Sequence, residues 1–268
     1  MISLNRVGAV ALRLFYLYRG SPARLVPMLI WVVVDVLLWG LLTRYLNTVS
    51  NTSINFVPAL LGAVLFWDFL TRVMQGVTMA FFEDVWSRNF LNLFATPLTV
   101  LDYLAGLILC SIVTSLISMT VMLAFARIGF GLSLATFGAA LAPFLFVLFV
   151  TGIALGVMAS ALVMRLGPAA EWLIWPIPMV LAPFAGVFYP ISALPTPMQA
   201  IARILPPSYV FEGMRAIVTG EAPPWNKLVI AVALSLVYLI LAVWLFFRVY
   251  TQVIANGLLA RYSAESVS

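Results

Sequence analysis

The sequence has no histidine, one cysteine and one lysine among 268 residues, and only 9% of its residues are charged. Each shortage removes a class of chemistry. With no histidine, and with Cys110 alone, one chain cannot build a disulfide framework, a Cys/His metal site or a Cys–His nucleophile. Cys110 lies in the apolar run 107–113 and reads as a small buried hydrophobe. Lys227 follows Trp225 and Asn226, so the phosphate-cradling Gly-x-x-x-x-Gly-Lys-Ser/Thr loop is missing. Gly-x-Ser-x-Gly is missing too, and the carboxylates are scattered, so the chain is not expected to be an enzyme.

The low charge also bounds the fold. A soluble domain carries about 25% charged residues. Here 64% of residues are hydrophobic, too many for the remaining polar groups to cover, so the solvent is expected to be largely lipid. The net charge of +5 then marks loops on one side of a membrane rather than a nucleic-acid surface.

A spanning helix needs about 20 apolar residues. Six stretches qualify, over 25–42, 56–82, 101–126, 134–164, 172–189 and 228–250, which predicts an all-α integral membrane protein. With the N-terminus inside, inner segments hold Arg6, Arg13, Arg19, Arg24, Arg88, Arg165, Arg248 and Arg261, and outer ones hold Arg44, Arg127, Arg203, Arg215 and Lys227. That asymmetry favours both termini on the cytoplasmic side. No internal repeat is evident, so 1–268 reads as one membrane domain.

Three segments outside the spans carry pattern. Residues 1–24 interleave Arg6, Arg13, Arg19 and Arg24 with Leu12, Leu14, Phe15, Leu17 and Tyr18, as an amphipathic interfacial helix does and a cleavable signal does not. Over 83–97, Trp86, Phe90, Leu93 and Phe94 recur at helical spacing before Pro97, which predicts a short inner amphipathic helix. The outer connection 190–224 holds prolines 190, 195, 197, 206, 207, 223 and 224 around two apolar pieces too short to span, so a re-entrant pair of helices is expected.

Charges inside the spans are the candidate polar sites. Asp68 and Arg72 share a helix face at four-residue spacing, and Asp35 lies in the first span. They could line a polar pathway or relay protons; the plainer alternative, favoured for Asp68 and Arg72, is a structural ion pair. Gly152 and Gly156 make a Gly-x-x-x-Gly step that suits packing within the chain or a dimer seam.

This layout resembles the membrane subunit of type 2 (ABC-2) ATP-binding-cassette exporters. The resemblance rests on Tyr189-Pro190-Ile191-Ser192-Ala193-Leu194-Pro195, on Leu205-Pro206-Pro207-Ser208-Tyr209 with Glu212, Gly213 and Arg215 after it, and on Leu91-Asn92-Leu93-Phe94-Ala95-Thr96-Pro97-Leu98. It implies a pathway between two such subunits, a second copy of this chain or a paralogue, embedded in lipid of a bacterial-type inner membrane. It also implies two ATPase subunits docked from the cytoplasm, which hold the ATP and Mg, so this chain carries no cofactor of its own.

In the family's terms 1–24 would be the interface helix and 83–97 the coupling helix. Glu83, Asp84, Trp86, Arg88 and Phe90 would be its contacts to the ATPase. Pro190, Pro195, Pro207, Tyr209, Glu212 and Arg215 would belong to the outer gate. The cargo expected from the resemblance is an amphiphile, lipid, drug or glycan. A proton-coupled secondary transporter, with Asp35, Asp68 and Asp102 as its relay, is the rival reading, and a membrane scaffold the third.

Overall fold

Long apolar stretches without water have one way to satisfy every backbone N–H and C=O internally, which is to coil into helices. The computed structural model describes residues 3–49, 56–87, 89, 92, 93 and 95–256, and these are helical with no strand among them. The helices are α1 (Leu4–Arg19), α2 (Pro22–Val49), α3 (Gly62–Trp86), α4 (Val100–Phe130), α5 (Leu141–Leu166), α6 (Pro176–Ala185), α7 (Thr196–Ile204), α8 (Pro206–Val218) and α9 (Trp225–Ala255).

Helix α3 is the core. It packs along α4 on one side and α5 on the other; α9 packs on α5, and α1 and α2 pack on α4. The tight α3–α5 seam uses the Gly-x-x-x-Gly step. A Cβ on Gly152 would stand 2.8 Å from the Leu70 carbonyl oxygen, and one on Gly156 2.8 Å from that of Met74. Those glycines therefore serve packing within the chain, by letting two backbones approach.

Among the described residues five helices are long and apolar enough to cross a membrane: 30–49, 57–86, 100–130, 134–166 and 225–255. The expected continuous span over 172–189 is not formed. A 3-10 turn covers Pro168–Leu173, and α6 has 10 residues, roughly 15 Å at helical rise and about half the hydrocarbon thickness. Prolines 168, 176, 178 and 183 each lack an N–H donor, and Gly186 at φ +64° closes the helix. The broken segment nevertheless touches α3 and α2. Glu171 accepts from the Trp86 indole at 3.1 Å, Trp175 and Pro178 share a cleft with Gln75 and Met79, and Phe188 stacks on Trp39 at 5.1 Å.

The two amphipathic extremes sit at opposite ends of the bundle. Helix α1 lies against the first turns of α4 and the last turn of α3, where a Cβ on Gly106 would meet Val10 at 2.5 Å. The α7–α8 hairpin lies at the other end, with Phe211 beside Trp67 near the start of α3.

Candidate functional site

One face of α3 differs from the rest of the helix. Most of α3 is buried, but Asp68, Thr71, Arg72, Gln75 and Met79, recurring every three or four residues, are partly exposed. Helix α2 and the α6 segment flank this face and reach it mainly through side chains, so α3 floors a groove. A polar stripe on the central helix of an apolar bundle is costly against lipid and belongs against protein or water.

The charges in the groove do not pair as the spacing predicts. Arg72 Nη2 lies 3.5 Å from Asp35 Oδ2 on α2, and Nη1 donates to Gln75 Oε1 at 3.3 Å. The expected Asp68–Arg72 pair is corrected accordingly: the long arginine side chain reaches the neighbouring helix, and Asp68 Oδ2 stays buried without a hydrogen-bond partner.

Asp102 is elsewhere and otherwise engaged. It forms the capping box of α4 with Thr99, accepts from the Ser3 backbone N–H at 2.8 Å, and meets Arg6 at 3.5 Å. Tyr103, next to it, reaches Asp84, roughly 18 Å along α3 from Arg72 at helical rise. A relay through Asp35, Asp68 and Asp102 is therefore not assembled.

At the same end, Glu83 and Asp84 fall within the last turn of α3 instead of on a separate amphipathic helix. Asp84 is fully buried, paired with Arg13 of α1 and accepting the Tyr103 hydroxyl at 2.8 Å. Glu83 is only 6% exposed. The expectation that both carboxylates face a partner protein is corrected for this conformation, because α3 extends to Trp86 and α1 covers its end. Trp86 is half exposed, while Arg88 and Phe90 lie outside the described residues.

The residues expected as an outer gate form a stapled hairpin. Arg215 donates to Glu212 Oε1 and to the Gly186 carbonyl, both at 2.7 Å, and Glu212 Oε1 accepts from the Ile191 N–H at 3.0 Å. A Cβ at Gly186 would lie 3.4 Å from Arg215 Nη2 and 3.1 Å from the Tyr189 carbonyl oxygen, on a backbone whose positive φ already favours glycine. Pro190 precedes the Ile191–Ala193 turn, Pro195 caps α7, and Pro207 sits buried in the first turn of α8. Tyr209 donates to the Arg203 carbonyl at 2.7 Å, tying α8 to the end of α7. Beside them an open cavity of about 250 Å³ is lined by Glu212, Arg215, Thr219, Glu221 and Lys227.

Among the described residues no three His, Cys, Asp or Glu side chains gather as a metal site would require.

A family described as ABC-2 family transporter protein matches the chain over residues 21–248. The chain belongs to that family. This ABC-2 protein is thus a multi-pass membrane component of an ABC transporter, a permease that pairs with an ABC ATPase subunit. A search of curated proteins returned no match. The matched range spans α2 to most of α9, so the α3 groove and the α7–α8 hairpin of the permease lie inside it, and α1 precedes it.

Residue reading missed three parts of the permease's polar architecture: Arg13 and Tyr103 around Asp84, and Gln75 beside Arg72. The signal for Gln75 was available, since positions 68, 71, 72 and 75 put four polar residues on one face of an apolar span.

Proposed function

We propose that this permease is the membrane-spanning half of an ATP-driven exporter, in which two copies face each other across the α3 groove and two separate ATPase subunits dock at the α1 end. The observation that carries this is the partly exposed polar face of α3. In a single chain it would meet lipid; against a second copy it becomes the wall of a hydrated path. The Gly152/Gly156 seam is consumed within the chain, which leaves that face for the partner copy.

The segment beyond α3 acts as the coupling element. Trp86 is exposed there, and Leu93 donates to the Asn89 carbonyl at 3.0 Å, as a helical turn does. ATP-driven closure of the ATPases pushes on this segment. Because Asp84, three residues before Ser87, is clamped to Arg13 and Tyr103, the push is shared by α1, α3 and α4. The device works only through differential affinity of the ATPases for two permease states. The broken 168–189 segment makes the sixth crossing and brings both termini to the cytoplasmic side of an inner membrane, while the stapled α7–α8 hairpin closes the path outside.

The cargo class is an amphiphile, since the groove joins charged and apolar walls. The test is to purify the tagged permease in mild detergent, identify the co-purifying ATPase and assay ATP hydrolysis. A Trp86→Ala variant is expected to keep its folded yield and lose most of the permease-dependent hydrolysis. A permease that carries no ATPase and instead moves protons in liposomes would contradict the proposal.

A further inference from the structure

The groove holds one carboxylate more than it can satisfy. Asp35 and Asp68 share a single cation, Arg72, whose contacts to Asp35 and Gln75 are long at 3.5 and 3.3 Å. Among the described residues Asp68 Oδ2 is buried and accepts no hydrogen bond, and Arg72 Nε on the same helix face is likewise without a partner. Buried polar atoms without partners are rare, and a carboxylate oxygen that the neighbouring guanidinium does not reach is open to a donor brought by a ligand. Next to the charges, Gln75 leads into an apolar cleft formed with Met79, Phe82, Trp175 and Pro178. Thioether and aromatic walls adapt to apolar bodies of varied shape.

We propose that the groove binds a protonated amine borne on an apolar body, a cationic amphiphile that places its N–H on Asp68 and its apolar part among Met79, Phe82 and Trp175. This rests on the groove being the permease's transport path, and it names the class of cargo. With both carboxylates ionised, the pair and one guanidinium leave one negative charge, which a single ammonium neutralises. A carboxylate amphiphile brings the wrong sign. A quaternary ammonium brings the right sign but no donor, so Asp68 stays unsatisfied. In this conformation the cleft encloses only about 10 Å³, so the apolar body enters as α6 moves off α3; α6 packs on α7 and α8 and only lightly on α3.

The test uses the full chain in lipid nanodiscs, with empty nanodiscs as the partitioning reference. Dodecylammonium, dodecyltrimethylammonium and dodecanoate are compared below their self-association concentrations through tryptophan fluorescence. The expected result is at least about tenfold tighter binding of dodecylammonium than of dodecyltrimethylammonium, as one hydrogen bond to a charged group warrants. Asp68→Asn should erase that preference and Asp68→Glu should keep it. Equal binding of the two cations, tighter binding of dodecanoate, or a preference that survives Asp68→Asn would overturn the proposal. If Asp68→Asn fails to fold, the head-group comparison on the unaltered chain decides alone. A chain that stimulates its ATPase yet shows no amine preference refutes this site and keeps the exporter. An amine preference without any ATPase coupling keeps the site and refutes the exporter.

Discussion

Asp35 and Asp68 surround one guanidinium from two helices, and their replacement should not cost the same. Asp35→Asn removes the carboxylate in contact with Arg72 and forces the guanidinium to turn back to Asp68 on its own helix, whereas Asp68→Asn leaves the Arg72–Asp35 pair in place. Folded yield from membranes should fall for Asp35→Asn and hold for Asp68→Asn; the reverse order would show that Arg72 depends on its own helix. A second residue-scale prediction concerns Arg13. Removing one partner of a buried pair costs about 3 kcal/mol or more. Asp84 is fully buried, so Arg13→Leu should lower the midpoint of thermal unfolding in detergent clearly, and more than Arg19→Leu on the same helix. Equal midpoints for the two variants would remove the clamp. These charges were visible in the sequence as intramembrane outliers, but their partners were not. Which carboxylate meets Arg72 depends on the rotation of α2 against α3, and Arg13 meets Asp84 from far along the chain.

At the scale of elements, hydropathy identified four of the long helices closely and 25–42 approximately, because uninterrupted apolar sequence leaves the backbone no alternative to a helix. It failed over 172–189, where the residues are apolar enough but prolines 176, 178 and 183 remove donors and Gly186 turns the chain. At 83–86 the amphipathic pattern predicts the start of a new helix, whereas α3 continues to Trp86. The two short helices of the proline-rich 190–224 connection were legible because prolines fall at their starts, where the missing N–H is harmless. The α3–α5 seam makes a direct prediction. Gly152→Ala pushes a methyl into the Leu70 carbonyl, an overpacking that costs about 1 to 3 kcal/mol. Gly8→Ala, with no atom within 4 Å of the new methyl, should be neutral or slightly stabilising, since alanine is the better helix former. Unfolding midpoints of the two variants, measured side by side, check this; a tolerated Gly152→Ala would mean that the seam is looser than the structure has it.

At the scale of the whole molecule, a buried central helix carries a stripe of partly exposed polar side chains between the clamped α1 end and the α7–α8 hairpin, and the family pairs with an ATPase that would drive it. If that stripe is the transport path, it must be wet in at least one state and must change its access with nucleotide. The single cysteine, buried Cys110, makes this measurable: in a Cys110→Ser background, Gln75→Cys is the one thiol in the chain. The decisive measurement is its labelling by a membrane-impermeant maleimide in proteoliposomes holding the permease and its ATPase, with and without ATP. Labelling that occurs and shifts severalfold on ATP addition is the predicted result. A thiol that remains unlabelled in both states, or reacts equally in both, would contradict a nucleotide-gated path along α3.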